Sequence, residues 1–192
     1  MITSVVKRVP SSGILTGVVL CTFALTFAVC PSGPASASTP STTAGPYPSS
    51  TTTQPSTASV TATVINDYRT MWANLVSAAR TSNYQSKLLP QHATGDALSL
   101  LVQGLAKDRE QGIVTKGQPV LQPSVSSLTP AANPIKASIT DCFDNTHWVE
   151  YKTNGTLQKN APGGRRATTA ELVRMGGTWK VTELSVRAKG TC

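Results

Sequence analysis

A low-complexity run, 38–57, divides the chain into two parts that cannot share one core. It consists almost entirely of Ser, Thr and Pro, with one aromatic residue, Tyr47, and no charged residue. Such a composition cannot bury enough apolar surface to offset the entropy lost on ordering, and its prolines favour extended conformations. We therefore predict a disordered tether over 38–57 and a single domain over 58–192, which is too short for two domains.

The residues before the tether have the pattern of a secretory signal. Lys7 and Arg8 precede an uncharged, mostly apolar run, 14–29, which is short for a membrane-spanning helix and suits a signal peptide. No acidic residue precedes Asp67, so the positive charge is unopposed and should stay on the cytoplasmic side. We expect 1–37 to be a signal peptide or membrane anchor. The domain is then exported, and is either extracellular or attached to the outer face of the cell membrane.

Three fates of this segment remain open. Ala35-Ser36-Ala37 fits cleavage by a signal peptidase before Ser38. Phe27-Ala28-Val29-Cys30 resembles a bacterial lipobox, which would make Cys30 a lipidated first residue, although Val29 stands where Gly or Ala is usual. The third alternative is an uncleaved anchor. A tether makes most sense on a chain held at a membrane, which favours the lipidated and uncleaved forms.

The charge of the exported part excludes one class of partner. Without Lys7 and Arg8 it has 15 basic residues against 9 acidic ones, a net charge of about +6. Nucleic-acid binding needs clustered basic residues, and here only Arg165 and Arg166 adjoin, so we expect no nucleic-acid partner and membrane association through the N-terminus alone. Gly163-Gly164-Arg165-Arg166 has two open interpretations, an anion-binding loop and an ordinary loop that enters a strand.

The domain contains two cysteines, Cys142 and Cys192. Export implies oxidising conditions, so we predict that they form a disulfide, which would tie the last residue of the chain to a central strand. Free thiols or a metal pair are the alternatives, but two Cys with no nearby His make an incomplete zinc site. The two histidines, His92 and His147, are too far apart for a local ligand motif, so no metal or other cofactor is expected.

The first half of the domain has a helical pattern. Apolar residues recur every three or four positions over Val60–Ala79 and again over Gly95–Arg109. Asp67 falls on the polar face of the first helix. Between the helices, Ser82-Asn83-Tyr84-Gln85 has the form of a capping box that would open a short helix disturbed by Pro90.

The second half has the pattern of strands. Residues alternate over Ile135–Cys142, with Asp141 on the same face as Ile139, and Trp148–Thr153 leads to the turn signal Asn154-Gly155.

The last two predicted strands, Ala167–Met175 and Trp179–Arg187, flank Gly176-Gly177. By strict alternation the apolar residues of the final strand would be split between its two faces. A bulge near Thr182 or Glu183 would bring them to one side and bend the strand: Trp179, Val181, Leu184 and Val186. Helices followed by a curved antiparallel sheet define an α+β domain.

Several short segments carry a resemblance to known proteins: Tyr68-Arg69-Thr70-Met71-Trp72, His92-Ala93-Thr94-Gly95-Asp96-Ala97-Leu98, Val114-Thr115-Lys116-Gly117, Asp141-Cys142, Thr146-His147-Trp148, Pro162-Gly163-Gly164-Arg165-Arg166 and Gly177-Thr178-Trp179-Lys180-Val181. They resemble uncharacterised exported or lipoprotein-like proteins of actinobacteria with a nuclear-transport-factor-2-like domain, a fold shared with ketosteroid-isomerase-like and SnoaL-like proteins. The resemblance covers most of the chain from about Val64. It implies helices packed on a cone-shaped sheet whose open face often pairs as a homodimer. The family has no established activity to lend, and the fold hosts many functions.

In catalytic members of this fold a carboxylate or histidine moves a proton, and a tyrosine or protonated acid stabilises the oxyanion. The resemblance makes Asp141, His147, His92 and Tyr68 the candidates here. Structural roles stay open beside the catalytic ones: Asp141 pairing with an arginine or capping a turn, His147 making a structural hydrogen bond, and His92 lying at the surface. No G-x-S-x-G occurs and Cys142 is assigned to the disulfide, so no nucleophile is expected.

Three functions are consistent with the sequence. The first is a non-enzymatic cell-envelope domain that binds a small apolar ligand or docks an envelope protein. The second is a small isomerase- or cyclase-like enzyme, which requires Asp141 to meet His147 or Tyr68 in one enclosed pocket. The third is a purely structural envelope protein.

Overall fold

The computed structural model of the protein describes residues 55–158 and 163–192. The predicted signal or anchor segment with Cys30, and the predicted tether up to Gln54, lie outside them. None of the helices in the described ranges has the length and apolar content needed to cross a membrane. The elements are α1 (Thr57–Ala79), α2 (Leu89–His92), α3 (Gly95–Glu110), β1 (Ile113–Gly117), β2 (Ser124–Thr129), β3 (Lys136–Asp144), β4 (Trp148–Lys152), β5 (Arg165–Met175) and β6 (Thr178–Val186).

Helix α1 begins at the last position predicted for the tether. Ser56 is its N-cap, and the Ser56 hydroxyl accepts a hydrogen bond of 3.2 Å from the backbone N–H of Ser59. The predicted apolar stripe faces the core, because residues three and four apart lie on one side of a helix. Its buried apolar members are Val64, Tyr68, Met71, Trp72, Leu75, Val76, Ala78 and Ala79.

Asp67 departs from the prediction that placed it on the solvent-facing side of α1. The residue is buried, and its Oδ2 accepts a hydrogen bond of 2.8 Å from the backbone N–H of Trp179. A buried carboxylate is tolerated when it satisfies donors that would otherwise lose water. Asp67 therefore fixes the start of β6 against α1.

The predicted capping box between α1 and α3 is wrong. Ser82 is buried with a positive φ of 48°, and its hydroxyl donates to the backbone carbonyl of Ile113 instead of capping a helix. Asn83 takes the local role, since its Oδ1 accepts from the N–H of Gln85 at 3.1 Å. Helix α2 has Pro90 in its first turn, where proline needs no hydrogen-bond partner, so the proline starts this helix rather than disturbing it.

The strands form two antiparallel sheets instead of the single curved sheet that was predicted. Strands β2, β3, β5 and β6 make one sheet in the order β2-β3-β5-β6, and β1 pairs with β4 in the other. The separation follows from a turn after β3 that directs β4 to β1. Val120 and Asp144 connect the two regions through reciprocal backbone hydrogen bonds of 2.8 and 2.9 Å. Helices α1 and α3 pack against β6, so the architecture is α+β as predicted.

The predicted bulge in the final strand is confirmed. Glu171 of β5 pairs with Glu183, but the next residue, Leu172, pairs with Val181, which leaves Thr182 as the extra residue of β6. The apolar residues of β6 consequently share one side, where they are buried or pack on the core: Trp179, Val181, Leu184 and Val186.

An aromatic cluster occupies the space between α1 and the sheets. The rings of Trp72 and Phe143 are stacked with centroids 4.5 Å apart. Trp148 meets Trp72 edge-on at 6.4 Å, and Tyr68 meets Trp72 edge-on at 6.3 Å. These rings fill the interior with close-packed side chains in the geometries that aromatic pairs favour.

The two cysteines of the domain lie at disulfide distance, as predicted. The sulfur atoms of Cys142 and Cys192 are 2.15 Å apart, and their Cα atoms are 5.9 Å apart. Cys142 belongs to β3, an interior strand of the larger sheet. The bond therefore holds the C-terminus of the chain to the middle of that sheet.

Removing this disulfide should lower the free energy of unfolding. The loop it closes spans 50 residues, for which the chain-entropy relation gives about 4 kcal/mol. We expect the Cys142→Ala/Cys192→Ala double variant to lose a stability of this order in urea unfolding. Adding a reducing agent should weaken the unsubstituted protein similarly and leave the variant unchanged. An unaltered unfolding midpoint in the variant would contradict the prediction.

Deleting Thr182 together with Glu183 should misalign the end of β6. Leu184 then follows Val181 directly, so Leu184 and Val186 turn to the outer face, and losing roughly 1.5 kcal/mol for each partly buried side chain lowers the free energy of unfolding by about 3 kcal/mol. Deleting Thr182 alone is the matched control, because Val181 and Glu183 then adjoin as their partners Leu172 and Glu171 do, and Leu184 and Val186 stay on the inner face. It loses the bulge and a hydroxyl that donates to the carbonyl of Glu171, and should cost under about 1.5 kcal/mol. Equal losses in the two variants would show that alternation along β6 does not decide which of its residues face inward.

Candidate functional site

Tyr68 and Asp141, two of the predicted site residues, are in direct contact. The Tyr68 hydroxyl, from α1, donates to Oδ2 of Asp141, on β3, at 3.0 Å. The other oxygen, Oδ1, accepts from the backbone N–H of Gln122 at 2.6 Å. Tyr68 is fully buried and Asp141 is 6% exposed. The pair joins α1, β3 and the segment before β2.

Burial dominates the electrostatics of this pair. It raises the pKa of Asp141 above the ordinary 3.8, although the N–H of Gln122, the hydroxyl of Tyr68 and the charge of Arg69 each act to lower it. The pKa of Tyr68 is raised too, first by burial and then by the negative charge of Asp141. Tyr68 therefore stays a neutral hydrogen-bond donor over the range in which Asp141 titrates.

The geometry gives Asp141 a bridging role in this structure. Both carboxylate oxygens are occupied, one by a side-chain hydroxyl and one by a backbone amide. Proton transfer to a substrate requires the substrate to come within hydrogen-bond distance of the carboxylate, and Tyr68, with its ring fully buried, occupies that position. The arrangement resembles the turn-capping alternative drawn from the sequence, except that the amide belongs to Gln122, nineteen residues away.

His147 is separate from the Tyr68–Asp141 pair. It is exposed in the turn before β4, whereas Asp141 points into the core. Its backbone carbonyl packs so closely on Gly117 that a Cβ there would collide with it, and Gly117 also has a positive φ of 82°. The sequence pattern around His147 thus reflects a close approach of two backbones.

His92 lies beside Asp67, a contact that the sequence did not indicate. Its Nδ1 is 3.8 Å from Oδ1 of Asp67, longer than a hydrogen bond, and its side chain is 16% exposed. It is therefore neither a freely solvated residue nor a helix cap. Helical periodicity predicts that Asp67 lies on the outer face of α1. Strand β6 packs over that face and buries the residue.

Arg165 and Arg166 do not converge on one point. Successive residues of a strand project to opposite faces, and both lie in β5. The Nε of Arg165 donates to Sγ of Cys142 at 3.2 Å, while Nη1 of Arg166 donates to the carbonyl of Arg187 at 3.3 Å.

The glycines before these arginines are explained by packing. The N–H of Gly164 donates to Oδ1 of Asn145 at 3.0 Å, so this amide already has a partner within the protein. A Cβ on Gly163 would collide with the backbone of Asn145 and Thr146. Small residues are required here because two loops touch, which corresponds to the ordinary-loop interpretation of this motif.

Open cavities on the surface of the described residues include the following two. One, of about 460 Å³, runs between α1 and the segment after β1, and we call it the α1 groove. It is lined by Arg69, Trp72, Ala73, Val76, Ser77, Arg80, Gln118, Pro119 and Leu121. The other, of about 390 Å³, lies between α3 and the β5–β6 pair and contains three carboxylates, from Asp96, Glu171 and Glu183. No group of three or more His, Cys, Asp and Glu side chains with metal-binding geometry occurs among residues 55–158 and 163–192.

Comparisons with known proteins give structural likeness alone. No protein-family profile matches the chain, and no curated protein matches it. Among similar solved structures, the intermembrane-space region of chloroplast protein ARC6 is 22% identical, with a TM-score of 0.47 over 67% of this chain and 97% of that one. An NTF-2-like protein of unknown function from Shewanella oneidensis is 9% identical, with a TM-score of 0.38 over 65% and 98%. Aln2 from a Streptomyces species is 12% identical, with a TM-score of 0.43 over 70% and 93%.

All three TM-scores lie below 0.5, so no activity is inferred from these neighbours. The class of the domain rests on its own elements, helices packed on antiparallel sheets with a bulged final strand.

The raised pKa of Asp141 predicts a specific pH dependence of stability. Its contribution is fully present below 3.8, where the carboxyl is protonated in both states, and is lost as pH rises through the higher native pKa. In urea unfolding between pH 3 and 7, the advantage of the unsubstituted protein over Asp141→Asn should therefore be largest in acid.

Asp144→Asn is the matched control. The hydroxyl and amide of Thr146 lower the pKa of Asp144, so the advantage of the unsubstituted protein over this variant should grow as pH rises towards and above 3.8. The same pH trend in both variants would contradict the assignment of Asp141 as a buried acid.

Proposed function

We propose that the chain is an exported cell-envelope protein whose domain is a non-enzymatic module for docking a protein partner. Export is supported by the predicted signal segment at 1–37 and by the cysteine pair at disulfide distance, which needs an oxidising compartment to form. The tether predicted over 38–57 would let a membrane-held N-terminus present the domain at a distance. We assign the domain to the nuclear-transport-factor-2-like class on its order of helices and strands.

The observation that supports this proposal is that side chains fill the interior of the domain, whereas a groove on its surface is open. The interior that would hold a substrate contains packed aromatic rings and the buried Tyr68–Asp141 pair. The α1 groove, by contrast, opens to solvent and combines apolar and cationic side chains. A small apolar ligand inside the cone would have to displace these rings, so a partner at the surface is the better fit.

A second copy of the chain is a less suitable partner at the open face of the larger sheet. That face carries a hydrogen-bonded row in which Ser127 donates to Ser138 and Ser138 donates to Glu171. Stable homodimers bury a largely apolar core at their interface. A homodimer at this face would have to desolvate the polar row without burying apolar surface in return.

An isomerase- or cyclase-like enzyme is the alternative, and one observation favours it. Tyr68 and Asp141 form the pair that such a mechanism would use, and burial raises the pKa of Asp141 as a general base requires. For catalysis Tyr68 would have to move and admit a substrate. If Asp141→Asn abolished a turnover reaction of the purified protein while leaving its fold intact, the enzyme would replace the docking module.

The docking function is tested in intact cells by photo-crosslinking from three exposed positions. A photoreactive amino acid replaces Ser77 in the α1 groove, Gln103 on α3, or Thr169 on β5. We expect a discrete cross-link to one protein, identified by mass spectrometry, which then binds the purified full chain with a Kd of about 10 μM or tighter. Absence of a reconstitutable partner from all three positions would contradict the docking function.

A further inference from the structure

We propose that the α1 groove binds an extended acidic segment of a partner protein, with a carboxylate at each end and apolar residues between. This inference rests on the docking function and adds the surface and the chemistry of the partner. It follows from the spacing of two arginines, the apolar floor between them, and the way in which the opposite wall of the groove is held.

The two cations of the groove lie at separate points along α1. Arg69 and Arg80 are both exposed and are eleven residues apart, which on a helix of 1.5 Å rise corresponds to about 16 Å. The residues that line the groove include no carboxylate. The charge of Arg69 acts on Asp141, but this carboxylate is buried and accepts a hydrogen bond from Tyr68. Both guanidinium groups thus face solvent with charge to offer to a ligand.

A small apolar surface lies between the two cations. Trp72 and Val76 are buried at the base of the groove, so its accessible apolar surface comes from the exposed Ala73 on α1 and from the half-buried Pro119 and Leu121 in the segment after β1. Arg69, Trp72, Ala73, Val76, Ser77 and Arg80 recur at helical spacing, so they form one continuous strip. A ligand in the strip would place carboxylates at its ends and apolar side chains in the middle.

The distance between the arginines selects a peptide over a lipid headgroup. Five residues of extended chain, at about 3.3 Å each, span the 16 Å that separates the two cations. A single phosphate or carboxylate reaches only one of them. Residues 1–66 contain no acidic residue, so they do not supply the segment. The occupant that we propose is a segment of another protein.

The second wall of the groove is held in place before any ligand binds. Leu121 lines the groove, and the next residue, Gln122, is anchored through its N–H to the buried carboxylate of Asp141. A preformed groove loses less conformational entropy on binding than a flexible loop does. In this scheme Asp141 is a positioning residue, because it acts on the ligand through the wall that it anchors.

The experiment is a selection of random heptapeptides displayed on phage against the immobilised full chain. We expect selected sequences to be enriched in Asp or Glu at two positions about five residues apart, with apolar residues between. The strongest sequence is then synthesised with a fluorescent label and measured by fluorescence polarisation. Arg69→Gln and Arg80→Gln should each weaken binding about threefold, and the double variant about tenfold. Raising the salt to 0.5 M should weaken it further.

Arg109→Gln, an exposed arginine on α3, is the matched control and should leave binding unchanged. The inference is overturned if no peptide is selected, if selected peptides lack acidic residues, or if the double variant binds as the unsubstituted protein does. It is also overturned if anionic phosphatidylglycerol vesicles, and not peptides, bind with dependence on both arginines. A reconstitutable partner that cross-links only from Gln103 or Thr169 would remove the α1 groove as the site and leave the docking function standing.

Discussion

The buried carboxylate of Asp141 connects helix α1, strand β3 and the segment that forms one wall of the α1 groove. Asp141 accepts hydrogen bonds from the Tyr68 hydroxyl of α1 and from the Gln122 amide before β2, while its own backbone belongs to β3. Few positions in a core tolerate a carboxyl group, because an unpaired one loses its hydration without replacement. Here both oxygens are paired, and these hydrogen bonds offset part of the desolvation that raises the pKa of Asp141. The helix, the sheet and the wall of the α1 groove are thereby held in one arrangement.

This arrangement leaves the surface of the domain, and not its interior, accessible to a ligand. Tyr68 and Asp141, the groups that would suit proton transfer, are shielded from solvent by the ring of Tyr68 and by the aromatic cluster around Trp72. The groove beside the same helix remains open and is lined by two exposed arginines, Arg69 and Arg80. Adjacent positions of α1 therefore have different roles, since Tyr68 packs in the interior and Arg69 is exposed to solvent. This division supports the docking module that we propose.

Patterns that repeat along the chain made much of the fold predictable. The stripe of α1, the extent of α3 and the alternation of β3 each follow from a local period, and the bulge at Thr182 followed from a break in one. The capping box at Ser82 failed because its hydroxyl was recruited by Ile113, thirty-one residues away. The candidate site was half predictable. Asp141 and Tyr68 were found, but their contact depends on two elements meeting, and His92 beside Asp67 left no local signal.

The sequence by itself determined the α+β class, the pairing of Cys142 with Cys192, and which residues of β6 face inward. Each of these features depends on composition, on the number of cysteines, or on the periodicity of one element. All of that information can be read directly from the order of the residues. Only the tertiary structure decided that β4 joins β1 rather than the larger sheet, that Asp141 holds Gln122, and that Arg69 and Arg80 line one groove. Those facts arise from packing between segments far apart in the chain, where geometry and desolvation choose among partners that no local pattern distinguishes.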